Sequence, residues 1–136
     1  MHEVLWRAYL AVAMPIVKIK IQLYCDDEIA MGPGKADLLD AIAEHGSIAK
    51  AGRSMGMSYR RAWMLVDTMN RCWSERLVKT APGNKHGGGA TVTEFGRSVA
   101  AAYRSLLGTV QDAAACQSRD FLTTAILDAP RPRKSE

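Results

Sequence analysis

The sequence predicts an α+β fold that is mostly α-helical, a winged helix-turn-helix with an N-terminal strand and a long C-terminal helix. Two short helical patterns meet at Gly56 within the stretch Gly46–Asn70. A glycine-rich loop between two short strand-like runs follows, which is typical of a β-hairpin. A longer helical pattern over Glu94–Cys116 completes the order helix, turn, helix, hairpin, helix.

The first residues are expected to lie outside this domain. Met1–Ala13 is either a short helix or an extension upstream of an alternative start at Met14. Its apolar run is interrupted by Glu3 and Arg7 and is too short for a signal peptide. We therefore expect residues 1–16 to be an N-terminal extension and residues 17–116 to form the domain.

The domain is expected to begin with a strand. Val17–Tyr24 alternates apolar and polar residues, a pattern that predicts a half-buried strand. Asp26 and Asp27 break this pattern, because aspartate favours turns. Glu28–Met31 is the expected short partner strand.

One helix separates this strand from the helix-turn-helix. A turn at Gly32–Gly34 leads into a helical pattern over Lys35–His45, which Gly46 ends. The residues expected to face inward are Leu38, Leu39, Ile42 and Ala43.

Two N-cap signals and one glycine define the helix-turn-helix itself. Ser47 is a good N-cap for a helix over Ser47–Met55, and Ser58 is a good N-cap for the second helix. Gly56 supplies the turn between them, because glycine enters left-handed backbone without a steric penalty. The apolar residues that recur at helical spacing are Ile48, Ala51 and Met55 in the first helix, and Ala62, Leu65, Val66, Met69 and Trp73 in the second.

The second helix, Ser58–Trp73, is the predicted recognition helix, which in this motif lies in the DNA major groove. Its outer face, at about 100° per residue, carries Arg60, Met64, Asp67 and Arg71, with Arg61 and Thr68 on the flank. A helix N-terminus with serine, tyrosine and two arginines suits phosphate and base-edge contact. Trp63 and Trp73 are expected to pack in the core or at its edge. The candidate DNA-contacting residues of the whole chain are Lys50, Arg53, Ser58, Tyr59, Arg60, Arg61, Met64, Arg71, Lys79, Asn84, Lys85 and His86.

The predicted wing consists of two short strands around a loop rich in turn-forming residues. The strands are expected over Leu77–Thr80 and Ala90–Val92, and the loop over Ala81–Gly89. Basic and polar residues at the tip would reach phosphates or a minor groove, where glycines let the backbone approach closely. His86 is expected to be an exposed loop residue rather than a catalytic base.

The last long helix begins after Thr93, its expected N-cap. Its apolar residues step by four and three positions, and they are Val99, Tyr103, Leu106, Val110 and Ala113. This stripe either packs on the domain's own core or forms a dimer interface. We favour the dimer, because paired half-sites suit a small DNA-binding protein.

Residues 117–136 are expected to form a C-terminal appendage. Phe121–Leu127 is expected to add a helical turn or two. Pro130–Glu136 reads PRPRKSE and predicts a disordered basic tail that adds nonspecific DNA affinity.

The distribution of charge indicates a polyanionic partner. The formal net charge of the chain is only +4. Gly46–Ala90, however, carries eight of the 18 basic residues and only two of the 14 acidic ones. Basic charge concentrated on the predicted helix-turn-helix and wing is the electrostatic pattern of nucleic-acid binding.

Features of an enzyme or a metal site are lacking in the sequence. The histidines His2, His45 and His86 share no motif, and no paired nucleophile and base is recognisable. The three cysteines are widely spaced, so we expect them to be reduced and mostly buried, as in a cytosolic protein. We therefore expect no catalytic residue, no cofactor and no metal, and a cytoplasmic, nucleoid-associated protein without a membrane segment.

The run GPGKADLLDAIAEHGSIAKAGRSMGMSYRRAW, then VDTMN, the glycine-rich loop and TEFG resemble the N-terminal domain of molybdate-responsive regulators of the ModE type. The similarity covers about Val17–Ala115. It implies a LysR-like winged helix-turn-helix, a homodimer and bacterial transcriptional control, with the turn at Gly56-Met57 and the wing over Leu77–Thr93. Gly52 stands where this motif usually has alanine, which we expect to cost about 1 kcal/mol of helix stability but not the fold.

The resemblance also sets an expectation about molybdate. Full-length members of the family bind molybdate in a separate C-terminal portion, and this chain ends soon after the long helix. We therefore expect no direct molybdate binding.

The sequence thus predicts a transcriptional regulator that binds double-stranded DNA sequence-specifically, as a dimer that reads a pseudo-palindromic operator. The alternative is a winged-helix module for protein–protein interaction that does not bind DNA, because winged helices are reused in this way.

Overall fold

The computed structural model describes residues 17–81 and 89–134. Over these residues the elements are β1 (Leu23–Cys25), β2 (Glu28–Met31), α1 (Pro33–His45), α2 (Ile48–Ser54), α3 (Tyr59–Cys72), β3 (Val78–Thr80), β4 (Ala90–Val92), α4 (Glu94–Ala113) and α5 (Gln117–Ala125). The strands form two antiparallel pairs, β1 with β2 and β3 with β4. This arrangement confirms the predicted α+β, mostly helical, winged helix-turn-helix class.

The chain divides into two compact units. One unit comprises residues 20–107 and contains both strand pairs, α1 to α3 and most of α4. The described residues of the other unit are 17–19 and 108–134, which include the end of α4 and all of α5. Helix α5 has no buried residue, and its apolar side chains Phe121 and Leu122 are largely exposed.

The N-terminal strand is shorter than the period-two pattern predicts. Hydrogen-bonded pairing begins only at Leu23, which lies opposite Met31, and Cys25 lies opposite Glu28. The expected strand over Val17–Tyr24 is therefore wrong for its first six residues, because β2 is only four residues long and offers them no partner. The alternation of burial is nevertheless present from Lys18 onward, since Ile19 and Ile21 are half-buried and Lys18 and Lys20 are exposed. Val17, which the pattern placed on the buried side, is exposed.

Helix α1 ends at His45 as predicted but begins at Pro33, two residues before the expected Lys35. Pro33 occupies the first helical position, where its missing N–H costs nothing. Gly46 ends the helix with a positive φ of 66°, and its N–H donates to the carbonyl of Ile42 at 2.8 Å. Ala43 was expected to face inward, but it is exposed, because it faces an open groove between α1 and α4. Ala41 is buried instead.

The core of the larger unit joins the first three helices to the wing. Its largest fully buried side chains are Met31, Leu38, Leu39, Ile42, Val66, Met69, Leu77 and Val78. Among the described residues, none of the buried side chains is polar or charged. The wing strand β3 is thus anchored by the same apolar cluster that holds α3.

Helix α4 is held against the wing by its first turn. Thr93 caps it as predicted: its hydroxyl accepts from the Gly96 N–H at 2.9 Å and donates to the Arg76 carbonyl at 2.7 Å. A Cβ added at Gly96 would overlap the carbonyl oxygen of Leu77. This glycine therefore lets α4 touch the backbone that precedes β3.

The expectation of mostly buried cysteines is wrong. All three thiols are free; Cys25 and Cys116 are exposed, and Cys72 is half-buried. The exposed ones lie where the core does not reach, since Cys25 ends β1 and Cys116 is the N-cap residue of α5.

Candidate nucleic-acid interface

The corner between α2 and α3 forms as the local sequence predicts. The Ser47 hydroxyl accepts from the Lys50 N–H at 3.2 Å, and the Ser58 hydroxyl accepts from the Arg61 N–H at 3.1 Å. Gly56 has a φ of 73°, in the left-handed region that favours glycine. Ser47 thus fixes the start of α2, Gly56 forms the turn that follows it, and Ser58 fixes the start of α3.

Gly52 brings the two helices of the corner unusually close together. A Cβ at this position would lie 2.8 Å from the Cβ of Ala62, which belongs to the opposite helix and cannot rotate away. Packing therefore requires glycine at position 52. Its low helix propensity is the cost of letting α2 and α3 cross closely. The N–H of Met57 also donates to the Gly52 carbonyl at 3.0 Å, which tightens the turn.

Helix α3 separates an inner apolar side from an outer exposed side. Ala62, Val66 and Met69 are buried, and Leu65 is half-buried, as predicted. Arg60, Arg61 and Met64 are exposed on the other side, as are Lys50 and Arg53 on α2. Both arginines at the start of α3 therefore point to solvent and are free to meet a ligand outside the domain.

Two aromatic side chains lie on the flank of the exposed side. Tyr59 and Trp63 are one helical turn apart, and their ring centroids are 6.1 Å apart in an edge-to-face arrangement at 79°. Trp63 is 38% exposed and is not among the side chains that pack against the core. Trp73, the other tryptophan expected in the core or at its edge, is half-buried, and its indole N–H donates to the Ala30 carbonyl at 3.1 Å.

Arg71 differs from the other candidate arginines because its guanidinium is already engaged. It binds both carboxylate oxygens of Glu28 at 2.8 and 2.9 Å, and its Nε donates to Asp67 at 2.9 Å. These hydrogen bonds raise the pKa of Arg71, and the bond from Arg71 is the main reason why the pKa of Glu28 is lowered. Arg71 thus links β2 to α3.

The side chain of Asn70 links the wing to the recognition helix, in addition to the apolar core that they share. The Asn70 amide oxygen accepts from the N–H groups of Leu77 and Val78 at 2.9 and 3.1 Å, and its nitrogen donates to the Val78 carbonyl at 3.1 Å. At the far end of the hairpin stem, the Ala90 N–H donates to the Gly46 carbonyl at 2.9 Å. Lys79 is exposed on β3, whereas Asn84, Lys85 and His86 lie outside the described residues.

Lys35 is a further basic residue near the recognition helix. The sequence pattern did not single it out. It lies in the first turn of α1 and is half-buried. Burial is the main reason why its pKa is lowered, and the charge of Arg61 acts in the same direction. No local signal could have revealed this proximity, because Lys35 and Arg61 belong to different helices.

Other kinds of site find little support in the described part of the chain. Residues 17–81 and 89–134 contain no group of three or more His, Cys, Asp or Glu side chains that could hold a metal ion. Within the same residues, no helix is long and apolar enough to cross a membrane. The most prominent charged feature described is the exposed basic side of α2 and α3.

Comparison with known proteins relates the chain to regulators and molybdenum proteins. Over 83 residues, 61% of the chain, it is 43% identical to the molybdenum-pterin-binding protein MopA of Rhodobacter capsulatus. Over 87 residues, 64% of the chain, it is 38% identical to the molybdenum transport protein ModE of Azotobacter vinelandii. Over 97 residues, 71% of the chain, it is 34% identical to the DNA-binding transcriptional dual regulator ModE of Escherichia coli.

The chain is thus similar in sequence to proteins named ModE and Mop over 61% to 71% of its length. It spans about a third of their length, since the matches cover 31%, 32% and 37% of these three proteins. No protein-family model matches the chain. The relatives' names support a DNA-binding regulator at the level of the family, and none of the three names is that of an enzyme.

Proposed function

We propose that this chain is a sequence-specific, double-stranded DNA-binding transcriptional regulator. The observation that carries the proposal is the exposure of Arg60 and Arg61 at the N-terminus of α3, a helix whose opposite side is packed into the core. The N–H groups and dipole of a helix N-terminus attract phosphate, and guanidinium groups match both phosphate and guanine. We propose that residues 17–116 correspond to the N-terminal DNA-binding domain of the ModE-type relatives.

The other exposed residues receive roles from their positions around α3. We propose that Arg60 or Arg61 reads a guanine. We also propose that Tyr59 and the N-terminus of α3 contact the DNA backbone and so fix the helix in the groove. Lys50 and Arg53 on α2 add phosphate contacts, as does Lys79 on the wing. The tip residues Asn84, Lys85 and His86 remain candidates for the same role.

Arg71 is assigned a different role from the one its position on the helical wheel predicts. Its guanidinium is held by Glu28 and Asp67, so contact with DNA would require it to give up charged partners. We propose that Arg71 positions the recognition helix against the β1–β2 hairpin.

We propose that the regulator acts as a homodimer through α4. The apolar stripe of this helix is buried at Val99 and Tyr103 but exposed at Leu106 and Val110. Beside it, within residues 20–107, lies an apolar groove of about 400 Å³ whose lining includes Trp73 and Phe95. A two-fold dimer would place two α3 helices in successive major grooves, about 34 Å apart, on a pseudo-palindrome.

The relatives' names suggest which genes to examine first. Two of them are named for molybdenum-pterin binding and molybdenum transport. We therefore propose genes of molybdenum handling as the first candidate targets, with the regulator acting on chromosomal DNA in the bacterial cytoplasm. We propose no effector for this chain.

Selection of bound sequences from a random duplex pool tests the proposal. We expect an enriched, inverted-repeat motif with half-sites one helical turn apart. Replacing Arg60 or Arg61 by alanine should relax one base position by about 1–3 kcal/mol if that arginine reads a base, or weaken all sequences uniformly if it contacts phosphate. Lys20→Ala, which removes an exposed charge outside the helix-turn-helix, is the matched control. A pool that shows no enrichment would instead favour the protein-interaction module.

A further inference from the structure

The recognition helix exposes more apolar surface than its packing requires. Tyr59 is 58% exposed, Met64 is 59% exposed and Trp63 is 38% exposed. All three lie in the first two turns of α3, outside the buried stripe of Ala62, Val66 and Met69. Large apolar side chains grouped on the outer side of a helix indicate a ligand more strongly than the same residues scattered singly.

These side chains surround the exposed arginine at the start of the helix. Met64 follows Arg60 by four positions, so the two lie one above the other on the outermost line of α3. Trp63 follows Tyr59 in the same way, on the adjacent flank. The edge-to-face contact between the two rings, with centroids 6.1 Å apart, limits their motion and gives this flank a defined shape.

The surroundings of this patch favour a nucleic acid over an apolar protein surface. Arg60 and Arg61 lie beside it on α3, and Lys50 and Arg53 are exposed on α2. The carboxylate of Asp67, one turn further along, is bound by Arg71. An apolar group bordered by cations fits a ligand that is anionic at its edges and apolar at its centre.

The major groove of DNA offers one such apolar group, the C5-methyl of thymine, between two phosphate backbones. The other groups on the base edges are hydrogen-bond donors and acceptors, which would lose water without gaining a partner against methionine or an aromatic ring. We propose that Met64 and Trp63, whose ring is held by its edge-to-face contact with Tyr59, contact thymine methyl groups in each half-site. This inference rests on the proposed DNA-binding function and adds a base preference to it.

The expected effect follows from the size of a methyl group. Burial of one methyl-sized group corresponds to about a fourfold change in affinity. Each contacted thymine should therefore contribute about fourfold, and two contacted thymines in a palindrome should contribute about sixteenfold together.

The test uses uracil, which pairs like thymine but lacks the methyl group. Starting from a duplex selected by the full chain, each thymine is replaced by uracil in turn and the affinity is measured at fixed salt. We expect about a fourfold loss at one or more positions in each half-site, and no loss at thymines outside the site. A second pair of duplexes carries either 5-methylcytosine or unmodified cytosine opposite guanine at those positions. The difference in affinity between the two duplexes measures the effect of the methyl group on a second base.

Variants assign the methyl contact to side chains. With Met64→Ala or Trp63→Ala, at least one sensitive thymine should tolerate uracil without further loss. Tyr24→Ala, which removes an exposed aromatic ring on β1, should leave the sensitivity unchanged. The replaced side chains are exposed, and thermal unfolding checks that each variant is folded; Met64→Gln, which keeps the length of the side chain, provides a second reading at that position.

The outcomes separate this inference from the function on which it rests. If no sequence is enriched and no duplex binds, the proposed DNA-binding function fails. If a selected duplex binds but tolerates uracil everywhere, the thymine inference is overturned and the DNA-binding function stands. The same holds if uracil costs affinity equally in the wild type and in every α3 variant, because another residue then reads the methyl. The thymine inference is also overturned if the α3 variants lose binding to a protein partner while their DNA binding and uracil sensitivity stay unchanged.

Discussion

Asn70 and Val78 hold each other by two hydrogen bonds, since the Asn70 amide oxygen accepts from the Val78 N–H and its nitrogen donates to the Val78 carbonyl, both at 3.1 Å. Asn70 lies near the end of the recognition helix, and Val78 begins the wing. Asn70 therefore acts together with the shared apolar core to fix the position of the wing relative to the helix that we propose reads DNA.

We expect Asn70→Ala to destabilise the domain by about 2 kcal/mol, because it leaves partly buried backbone groups of Leu77 and Val78 without partners. Asn70→Asp keeps the oxygen that accepts from both N–H groups and should lose less. Urea unfolding of the three proteins measures both differences. Equal stability of Asn70→Ala and the wild type would contradict the role of this clamp.

Gly52→Ala should destabilise the domain although alanine is the better helix former. The new methyl would lie 2.8 Å from the Ala62 Cβ, and such overpacking costs about 1–3 kcal/mol. Gly108→Ala is the matched control, because the corresponding Cβ on α4 meets nothing within 4 Å. That control should gain about 0.5–1 kcal/mol from helix propensity. Thermal unfolding should thus show opposite shifts, and a gain in both variants would refute the close crossing of α2 and α3.

If α4 forms the proposed dimer interface, a charge introduced into its exposed apolar stripe should lower the molecular mass in solution from that of a dimer to that of a monomer. Leu106→Glu and Val110→Glu should give monomers, because a carboxylate buried in an apolar interface is costly unless it is paired. Gln111→Glu adds the same charge to the same helix outside the stripe and should leave the mass unchanged. Light scattering measures the mass, and a wild type that is monomeric at micromolar concentration would contradict the dimer.

The network of Glu28, Arg71 and Asp67 predicts a pH dependence of stability. The Arg71 hydrogen bond lowers the pKa of Glu28 below its usual 4.5, so this carboxylate stabilises the folded state above that pH. The contribution is lost as the pH falls through the lowered pKa. The stability difference between the wild type and Glu28→Gln should therefore be largest near neutral pH and vanish in acid.

Glu75→Gln, an exposed carboxylate outside this network, is the matched control for the pH experiment. Urea unfolding at several pH values measures the difference for both variants. A difference for Glu28→Gln that grew on acidification would contradict the assigned ion pair.

The sequence predicted the helix-turn-helix well because its signals are local. Ser47 and Ser58 cap the helices within three residues of themselves, and the left-handed turn at Gly56 depends on one residue. The apolar spacing of α3 likewise identified its buried side before any tertiary contact was known.

Features that depend on distant parts of the chain were missed or only half predicted. The helical wheel placed Arg71 on the outer face, but its partner Glu28 lies 43 residues away. The alternation gave the correct pattern of burial over Lys18–Gln22 but not at Val17, which is exposed, and a strand also needs a partner of sufficient length. Gly52 looked like an unfavourable helix residue until its distance to Ala62 was known.

Binding of random-sequence duplex DNA over a range of salt concentrations tests the central claim most directly. We expect binding at low ionic strength, and we expect the logarithm of the affinity to fall linearly with the logarithm of the salt concentration, because bound phosphates release counterions. Replacing Arg60 and Arg61 together by alanine should lower the magnitude of that slope by about one to two, whereas Lys20→Ala should not. The absence of any binding at low salt, or a slope that the two arginines do not affect, would contradict the central claim.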